Sequence, residues 1–480
     1  EHETGNRDII VAVVGEGVKY DHPDLVDNMW VNEAEKSGQP GVDDDGNGVV
    51  DDVHGYCCSR GNGNITWNEG SFKVVDGYTF WDGDVGHGTH VAGTVAAVNN
   101  NGIGVSGVAG GTGNNDGVRI MSIQIFSGDS GSSISQNAKG IEYAADNGAC
   151  ILQNSWGYPL QDGRTMSDSD YQSGFSVELS AIRYFVGKSN CSAMQGNIAI
   201  FAAGNDGKAT ADYPGAYNEF IAVTAYAPDG LPTSYTNYKY GCNVSAPGGD
   251  IWLDGRNTYK WEGTVLSTLP SECIDPLTNA PYGTDYGYMQ GTSMACPHVS
   301  GIAALVLSYA LDNGIKLTNT QLNEIITSSV RNIDDRLTGV KPIYIGNMSL
   351  DPYKGNMGTG KIDALMAIQS VRGALCVPAH VGEEVEINIS SLLGDGNIKV
   401  TGYSDYVISP ETRNRLDIKN DTYFSGKVYL TCHNAGVGVI TVKYIAGGNA
   451  VGGGNTTGGK LMEKDIVLVV RDFNNNAGWM

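Results

Sequence analysis

The sequence predicts an α/β domain built on a mostly parallel sheet, followed by an all-β domain. Across residues 1–372, short continuous apolar runs alternate with segments of helical periodicity, which is typical of strands buried on both faces of a parallel sheet. Beyond this point the helical periodicity stops, and apolar residues such as Val385 and Ile387 alternate with polar ones. We therefore expect an α/β domain at 1–372 and a β-sandwich at 373–480.

Five apolar runs, rich in β-branched residues, predict the buried strands of the first domain. They are Ile9–Val14, Ile120–Ile125, Ala149–Gln153, Ile198–Ala203 and Ile221–Val223. Two segments predict helices. In Ser135–Asn147 the apolar residues recur at helical spacing, and Thr292–Asp312 is apolar over several turns before Asn313-Gly314 signals its end.

The charge balance disfavours some classes of function. The 480 residues include 30 Lys and Arg against 53 Asp and Glu, a net charge of −23 at pH 7. Phosphate contacts need clustered basic side chains, so we expect no nucleic-acid partner. The sequence has no continuous run of about 18 apolar residues, so we expect no transmembrane segment. The acidity, the Gly- and Asn-rich loops and the few lysines favour an exported protein, which is secreted, at the cell surface or periplasmic.

Three short segments contain residue types that could act together on a carbonyl group. His87 lies in the turn Gly86–Gly88, where small neighbours let another chain approach the imidazole. Ser293 follows Gly291-Thr292 at a helix start, where the positive end of the helix stabilises a nearby anion. Asn205 follows an apolar strand, where its amide can donate to a developing oxyanion.

Taken singly, these segments are more often an ordinary turn or a helix cap. Together they fit nucleophilic acyl transfer. His87 takes the proton of the Ser293 hydroxyl, and Asn205 holds the oxyanion together with the Ser293 backbone N–H.

In combination, the segments resemble the subtilisin family of serine proteases. The strings GHGTHVAGT, GTSMACPH and AAGN are similar to the family's His, Ser and oxyanion-Asn blocks, and the resemblance covers about residues 8–372. It implies a three-layer fold with its active site at the carboxyl ends of parallel strands. It also implies protein or peptide substrates and an N-terminal propeptide, which we expect to have been removed. The substrate would pair as an extended strand with Ser155, Trp156 and Gly157, beside Gly204.

The aspartate block of the family departs from its pattern in one residue. An apolar strand there ends in Asp-x-Gly, whereas this chain has Gly15 at the aspartate position and Glu16 after it. The aspartate orients the histidine and stabilises the imidazolium, and in subtilisin its loss alone lowers kcat by about 3 × 10⁴. Alternation along a strand predicts that the Glu16 carboxylate points away from His87, and Asp21 lies beyond the strand end.

Two interpretations of Gly15 remain open. Either it is a deliberate inactivating substitution in a serine endopeptidase, or the chain is a natural pseudoprotease that acts as a peptide-binding module. The single change within otherwise intact blocks favours the first, since a long-established pseudoenzyme would be expected to have drifted at His87 or Ser293 too. We therefore expect an endopeptidase that is nearly inactive in this form.

Asp212 is a candidate specificity residue. The segment Ala211–Tyr217 resembles the family stretch that lines the primary specificity pocket, where the residue before Tyr-Pro-Gly is commonly small. A carboxylate at the base of that pocket would favour Lys or Arg just before the scissile bond. The alternative is a solvated loop aspartate.

An acidic loop over residues 43–52 predicts a structural calcium site. Its spacing matches the first half of an EF-hand loop, although His54 stands where that loop has its bidentate Glu. Closely spaced carboxylates repel each other unless a cation lies among them, and hard oxygen ligands select Ca²⁺. The alternative is an Asx-rich surface turn. The predicted ligands are Asp43, Asp45, Asn47, the carbonyl of Val49, and Asp52, with Asp51 as the alternative to Asp52.

Overall fold

The computed structural model divides the chain into two compact units, residues 1–362 and 363–480. The residues that it describes are 3–128, 130–159, 166–251, 261–343, 346–388, 398–403, 408–410, 427–446 and 460–471. The boundary lies before the predicted one at residue 372, because the helix Ala364–Ser370 packs within the second unit through Met366, which contacts Val467 and Val469. The predicted boundary at residue 372 had left this segment in the α/β part of the chain.

Within the described residues, the first unit is built on a ten-stranded sheet. From one edge to the other, its strands are Val330–Arg331, Lys361–Ile362, Val244–Pro247, Ile221–Tyr226, Ile198–Ala202, Ile151–Asn154, Ile10–Glu16, Arg119–Ser127 and Gly55–Cys57, with Ser130–Gly131 paired to Arg119–Ser127. Neighbours from Lys361–Ile362 to Gly55–Cys57 are parallel. The five predicted strands all lie in this sheet, which confirms the predicted α/β class.

Helices cover both faces of the sheet. The α-helices described in the first unit are Glu33–Ser37, His87–Ala96, Ile134–Asp146, Asp168–Gly174, Ser176–Gly187, Thr292–Asp312 and Asn319–Ser328. On one face, Ile10, Ala12 and Val14 pack in a core cluster with the helices Ile134–Asp146 and Ser176–Gly187. On the other face, His87–Ala96 (the histidine helix) and Thr292–Asp312 (the serine helix) contact each other and the sheet. The result is three layers, helix on sheet on helix.

Short strand pairs lie outside the main sheet. They are Gly70–Val75 with Tyr78–Gly83, Val265–Thr268 with Tyr286–Met289, Ile274–Asp275 with Ala280–Pro281, Val340–Pro342 with Asn347–Ser349, and Met194–Gln195 with Leu317–Thr318. Among the described helices, the serine helix is the one long and apolar enough to cross a membrane, but most of it is buried inside the first unit. Its composition is therefore that of a core helix.

The described part of the second unit contains two sheets. One has the strands Leu375–His380, Lys460–Arg471, Gly436–Ala446 and Ile398–Tyr403, and the other has Glu384–Asn388, Lys427–Cys432 and Ile408–Pro410. Val385 and Ile387 from one sheet pack in the same core cluster as Ile466 and Leu468 from the other. Two sheets that share one core are compatible with the predicted β-sandwich.

Candidate active site

Predicted catalytic and substrate-binding residues lie at the ends of neighbouring strands of the main sheet. Gly15 lies in the strand Ile10–Glu16, Ser155 follows Ile151–Asn154, and Asn205 follows Ile198–Ala202. These three strands are parallel neighbours, so their carboxyl ends meet at one edge of the sheet. The topology therefore brings together residues that are far apart in the sequence.

His87 is the first residue of the histidine helix, and both flanking glycines are sterically required. Gly86 has φ of 79° and a Cβ on it would lie 2.6 Å from Pro270 Cδ, while a Cβ on Gly88 would lie 2.2 Å from the carbonyl oxygen of Glu16. Burial lowers the pKa of His87 to about 4. The structure gives neither ring nitrogen of His87 a hydrogen-bond partner among the residues that it describes.

Ser293 lies in the first turn of the serine helix. Its hydroxyl donates to the carbonyl oxygen of Ser155 at 3.2 Å, and the Ser155 hydroxyl donates to the carbonyl oxygen of Ser293 at 2.6 Å. The two residues are thus tied together across 138 positions of the sequence. The helix N-terminus directs unpaired backbone N–H groups and positive potential towards an oxygen anion formed at this place.

Among the described residues, the hydrogen bonds to the side chain of Asn205 are at its oxygen. Its Oδ1 accepts hydrogen bonds from the backbone N–H of Thr292 at 2.8 Å and from the Thr292 hydroxyl at 2.9 Å. A Cβ on Gly291 would lie 3.7 Å from Asn205 Nδ2, so the amino group faces the start of the serine helix. This orientation leaves the N–H donors of the amide for an oxyanion beside Ser293.

Position 15 is open space. A Cβ built on Gly15 has no atom within 4 Å, and the backbone there lies outside the left-handed region. A Cβ at this position therefore meets no described neighbour other than the adjacent residues of the chain. Asp21 does not fill the gap, because its exposed carboxylate pairs with Lys19 at 3.3 Å.

The prediction for Glu16 is wrong. Its Oε2 accepts hydrogen bonds from the backbone N–H groups of His87 at 2.8 Å and Val85 at 3.3 Å, so the carboxylate reaches the start of the histidine helix. The register with the strand Arg119–Ser127 shifts between Gly15 and Glu16. Strand alternation ends at this shift, and the longer side chain then turns towards His87.

A second carboxylate lies near Glu16. Burial and, secondarily, the negative charge of Asp84 raise the pKa of Glu16 to about 8. Burial also raises the pKa of Asp84 to about 6, although its carboxylate accepts hydrogen bonds from the N–H groups of Gly128 and Glu69. The histidine helix therefore begins beside two carboxyl groups that ionise with difficulty.

Asp212 lies between the two glycines predicted to contact substrate. A Cβ on Gly204 would lie 2.3 Å from Asp212 Oδ2, and a Cβ on Gly157 would lie 3.1 Å from Asp212 Cβ. Burial and, secondarily, the charge of Asp206 raise the pKa of Asp212 to about 6. The carboxyl group is thus partly buried beside these glycines, and a fully solvated loop aspartate does not describe it.

The indole of Trp156 is part of the core. It is 7% exposed, packs edge-on against Phe201, and donates from Nε1 to Asn154 Oδ1 at 3.2 Å. Substrate pairing at Trp156 would therefore involve its backbone and not its ring.

The acidic loop brings together part of the predicted metal ligands and one residue that sequence reasoning missed. Carboxylate oxygens of Asp43, Asp45 and Glu35 lie within 4.8 Å of one another. Glu35 is buried on the short helix Glu33–Ser37, outside the acidic run, so no local spacing signalled it. Three carboxylates this close supply the hard oxygen donors that Ca²⁺ requires.

The other predicted ligands form an adjoining network. The Asn47 amide donates to Asp45 at 3.1 Å and to Asp52 at 2.9 Å, and its Oδ1 accepts from the backbone N–H of Val49 at 2.8 Å. Asp52 is buried and also accepts a hydrogen bond from the Tyr143 hydroxyl. Asn47 thus links Asp52 to the carboxylate cluster.

Comparison with known proteins gives consistent matches. The profile of the subtilase family matches residues 6–344. The extracellular basic protease of Dichelobacter nodosus is 28% identical over 369 residues, which are 76% of this chain and 51% of that protein. The thermophilic serine proteinase of Bacillus sp. (strain AK1) is 33% identical over 247 residues, which are 50% of this chain and 49% of that protein.

A solved structure is also similar. A protease from Pseudoalteromonas arctica superposes with a TM-score of 0.53 at 27% identity, covering 77% of this chain and 91% of that chain. The chain spans about half the length of the curated relatives named above.

Proposed function

Because the chain belongs to the subtilase family, we propose that it is a serine endopeptidase whose nucleophile is Ser293. His87 takes the proton of the hydroxyl as the Oγ–carbon bond forms, and later gives it to the leaving amine. The oxyanion is held by the Asn205 amide and the Ser293 backbone N–H. The observation that carries this proposal is the double anchoring of Asn205 Oδ1 by Thr292, which frees the amino group beside Ser293.

Gly15 would make this form weakly active. Without a carboxylate at position 15, no side chain there orients the imidazole or stabilises its protonated form, and burial already disfavours that form. The second candidate is a pseudoprotease that binds peptides without cleaving them, and the vacant position 15 is the observation that favours it.

Refilling position 15 tests both candidates. Gly15→Asp should raise peptide hydrolysis by about 10⁴, because the space is open and the remaining catalytic residues are in place. Gly187→Asp is the matched control. Gly187 also has open space around its Cβ position, but it lies at the end of the helix Ser176–Gly187 and outside the segments that carry the catalytic residues. A folded Gly15→Asp protein that stays at background, with Ser293 inert towards a fluorophosphonate probe, would support the pseudoprotease.

Asp212 would direct cleavage after Lys or Arg. Its position between Gly157 and Gly204 supports this proposal, since both glycines belong to segments expected to bind substrate. A partly buried carboxylate attracts a cationic side chain more strongly than a solvated one.

We also propose a structural Ca²⁺ in the acidic loop. Glu35, Asp43 and Asp45 would supply carboxylate oxygens, with Asn47, Val49 and Asp52 as the additional predicted ligands. When bound, the ion neutralises the repulsion among these carboxylates and fixes the loop.

Export from the cell is the proposed localisation. The relative from Dichelobacter nodosus is named as extracellular, and the net charge of −23 agrees with an exported protein. The proposed substrates are proteins or peptides, and removal of an N-terminal propeptide remains part of this proposal.

A further inference from the structure

The start of the histidine helix depends on a residue outside it. The capping position is occupied by Gly86, which has no side chain to accept a hydrogen bond. Glu16 performs this role instead, because its Oε2 accepts from the N–H groups of His87 and Val85. The carboxylate is therefore fixed to the backbone of the same residue that carries the imidazole.

The imidazole itself needs a negatively charged neighbour. Burial lowers the pKa of His87 to about 4, so the protonated form that arises during acyl transfer is costly. The backbone N–H of Gly86 also donates to the Glu16 carboxylate, beside those of Val85 and His87, so three consecutive N–H groups hold its charge at the start of the histidine helix. Glu16 is thus a carboxylate held at the backbone of His87, and it follows the open position 15 in the chain.

We propose that Glu16 is the positioning residue of His87, supplying the carboxylate that position 15 lacks. This inference rests on the proposed serine endopeptidase function. Glu16 holds the first residue of the histidine helix and keeps its negative charge against the backbone of the residue that carries the ring. The proton leaves Ser293 Oγ for His87 as the new Oγ–carbon bond forms, and Glu16 stays ionised throughout and exchanges no proton.

Glu16 acts only when ionised, which gives the residual activity a characteristic pH dependence. The groups that face it are Asp84, Cys273, Tyr282 and His87. The pKa values of Cys273 and Tyr282 are raised by burial, so both groups are neutral at neutral pH, and Asp84 is the anionic neighbour. Burial and Asp84 raise the pKa of Glu16 to about 8, so activity should rise as pH increases through this value.

The test is the rate at which a fluorophosphonate labels Ser293 in four full-length chains: the parent, Glu16→Gln, Gly15→Asp and the double variant. Gln keeps an oxygen that can accept from the His87 N–H but removes the charge. We expect Glu16→Gln to slow labelling of the parent roughly tenfold, since charge-assisted hydrogen bonds are about twice as strong as neutral ones. In the Gly15→Asp background the same change should slow labelling by a smaller factor, because the new aspartate supplies a second carboxylate for the imidazole while Glu16 still holds the His87 N–H.

A pH profile separates this role from a purely structural one. The labelling rate of the parent should rise through pH 8, and Asp84→Asn should move the midpoint to lower pH by removing the neighbouring charge. Suppose that the Gly15→Asp chain reacts with the probe. An unchanged labelling rate in Glu16→Gln, or a pH midpoint that Asp84→Asn does not move, would then overturn the role of Glu16. If the folded Gly15→Asp chain does not react either, the proposed function itself fails.

Discussion

The carboxylate of Asp212 occupies the space beside Gly204, where a Cβ would lie 2.3 Å from Asp212 Oδ2. This contact makes a direct prediction about specificity. In the Gly15→Asp chain, Asp212→Asn should lower kcat/KM roughly 30-fold or more for peptides with Lys or Arg before the scissile bond, because a buried charge pair is lost. A peptide library assayed with both proteins measures the change.

Asp206→Asn is the matched control for this substitution. Asp206 is exposed and pairs with Lys208 at 2.9 Å, so the variant has the same change in charge but should keep the Lys/Arg preference. An aliphatic or aromatic preference in the Gly15→Asp chain would contradict the assignment of Asp212.

The same carboxylate predicts a pH-dependent preference. Burial and, secondarily, Asp206 raise the pKa of Asp212 to about 6. Above this value the carboxylate is ionised and attracts a cationic side chain, and the attraction is lost as the pH falls through 6. The ratio of kcat/KM for a Lys peptide and its norleucine analogue should therefore fall at acid pH. In Asp206→Asn the midpoint of this fall should move to lower pH.

Anchoring of the oxyanion donor predicts a graded effect on the rate. Asn205→Ala in the Gly15→Asp chain should lower kcat by about 10² to 10³ with little change in KM, since the amide acts on the transition state. Thr292→Ala removes one of the two hydrogen bonds to Asn205 Oδ1 and keeps the backbone one, so its loss should be smaller. Equal losses in kcat, or a change confined to KM, would argue against this role.

The acidic loop predicts stabilisation by calcium. Millimolar Ca²⁺ should raise the Tm of the first unfolding transition above its value in EGTA, because the ion binds only the folded arrangement of Glu35, Asp43 and Asp45. Glu35→Gln should abolish most of this increment, and its single amide oxygen can keep only one of the two N–H bonds, which Glu35 accepts from Asp44 at Oε1 and from Asp51 at Oε2. Calorimetry measures both quantities.

Asp27→Asn is the control, since it removes one exposed carboxylate outside the cluster and should leave the increment unchanged. An identical Tm in Ca²⁺ and EGTA for the parent chain would exclude the structural ion.

Local patterns predicted much of the architecture. Runs such as Ile221–Val223 lie in buried parallel strands because strands covered on both faces need continuous apolar sequence. The catalytic candidates His87 and Ser293 were found because each lies in a Gly-containing segment with a strong local pattern. Their convergence follows from the parallel topology, which also follows from the alternation of strands and helices.

Features that depend on tertiary pairing were out of reach. The direction of Glu16 depends on a register shift against a strand more than 100 residues away, which no local alternation contains. Glu35 joins Asp43 and Asp45 through the packing of a short helix. The extent of burial of Asp212 likewise depends on Gly157 and Gly204, which reach it from two different strand ends.

A buried lysine gives a prediction about stability. Lys341 is 2% exposed, and its Nζ lies 3.2 Å from the fully buried carboxylate of Asp250 and 2.9 Å from the carbonyl oxygen of Pro232. Lys341→Met should lower the free energy of unfolding by about 3–5 kcal/mol, because it leaves the Asp250 charge buried without its cation. Urea denaturation measures the loss.

The double variant Lys341→Met with Asp250→Asn should recover much of this stability, since it removes the orphaned charge while Asn can still accept the hydrogen bond from the Ser234 N–H. Lys208→Met is the matched control, because Lys208 pairs with Asp206 at the surface, where an ion pair contributes about 0–1 kcal/mol. Equal losses for the two lysines would show that burial does not set the strength of the Lys341–Asp250 pair.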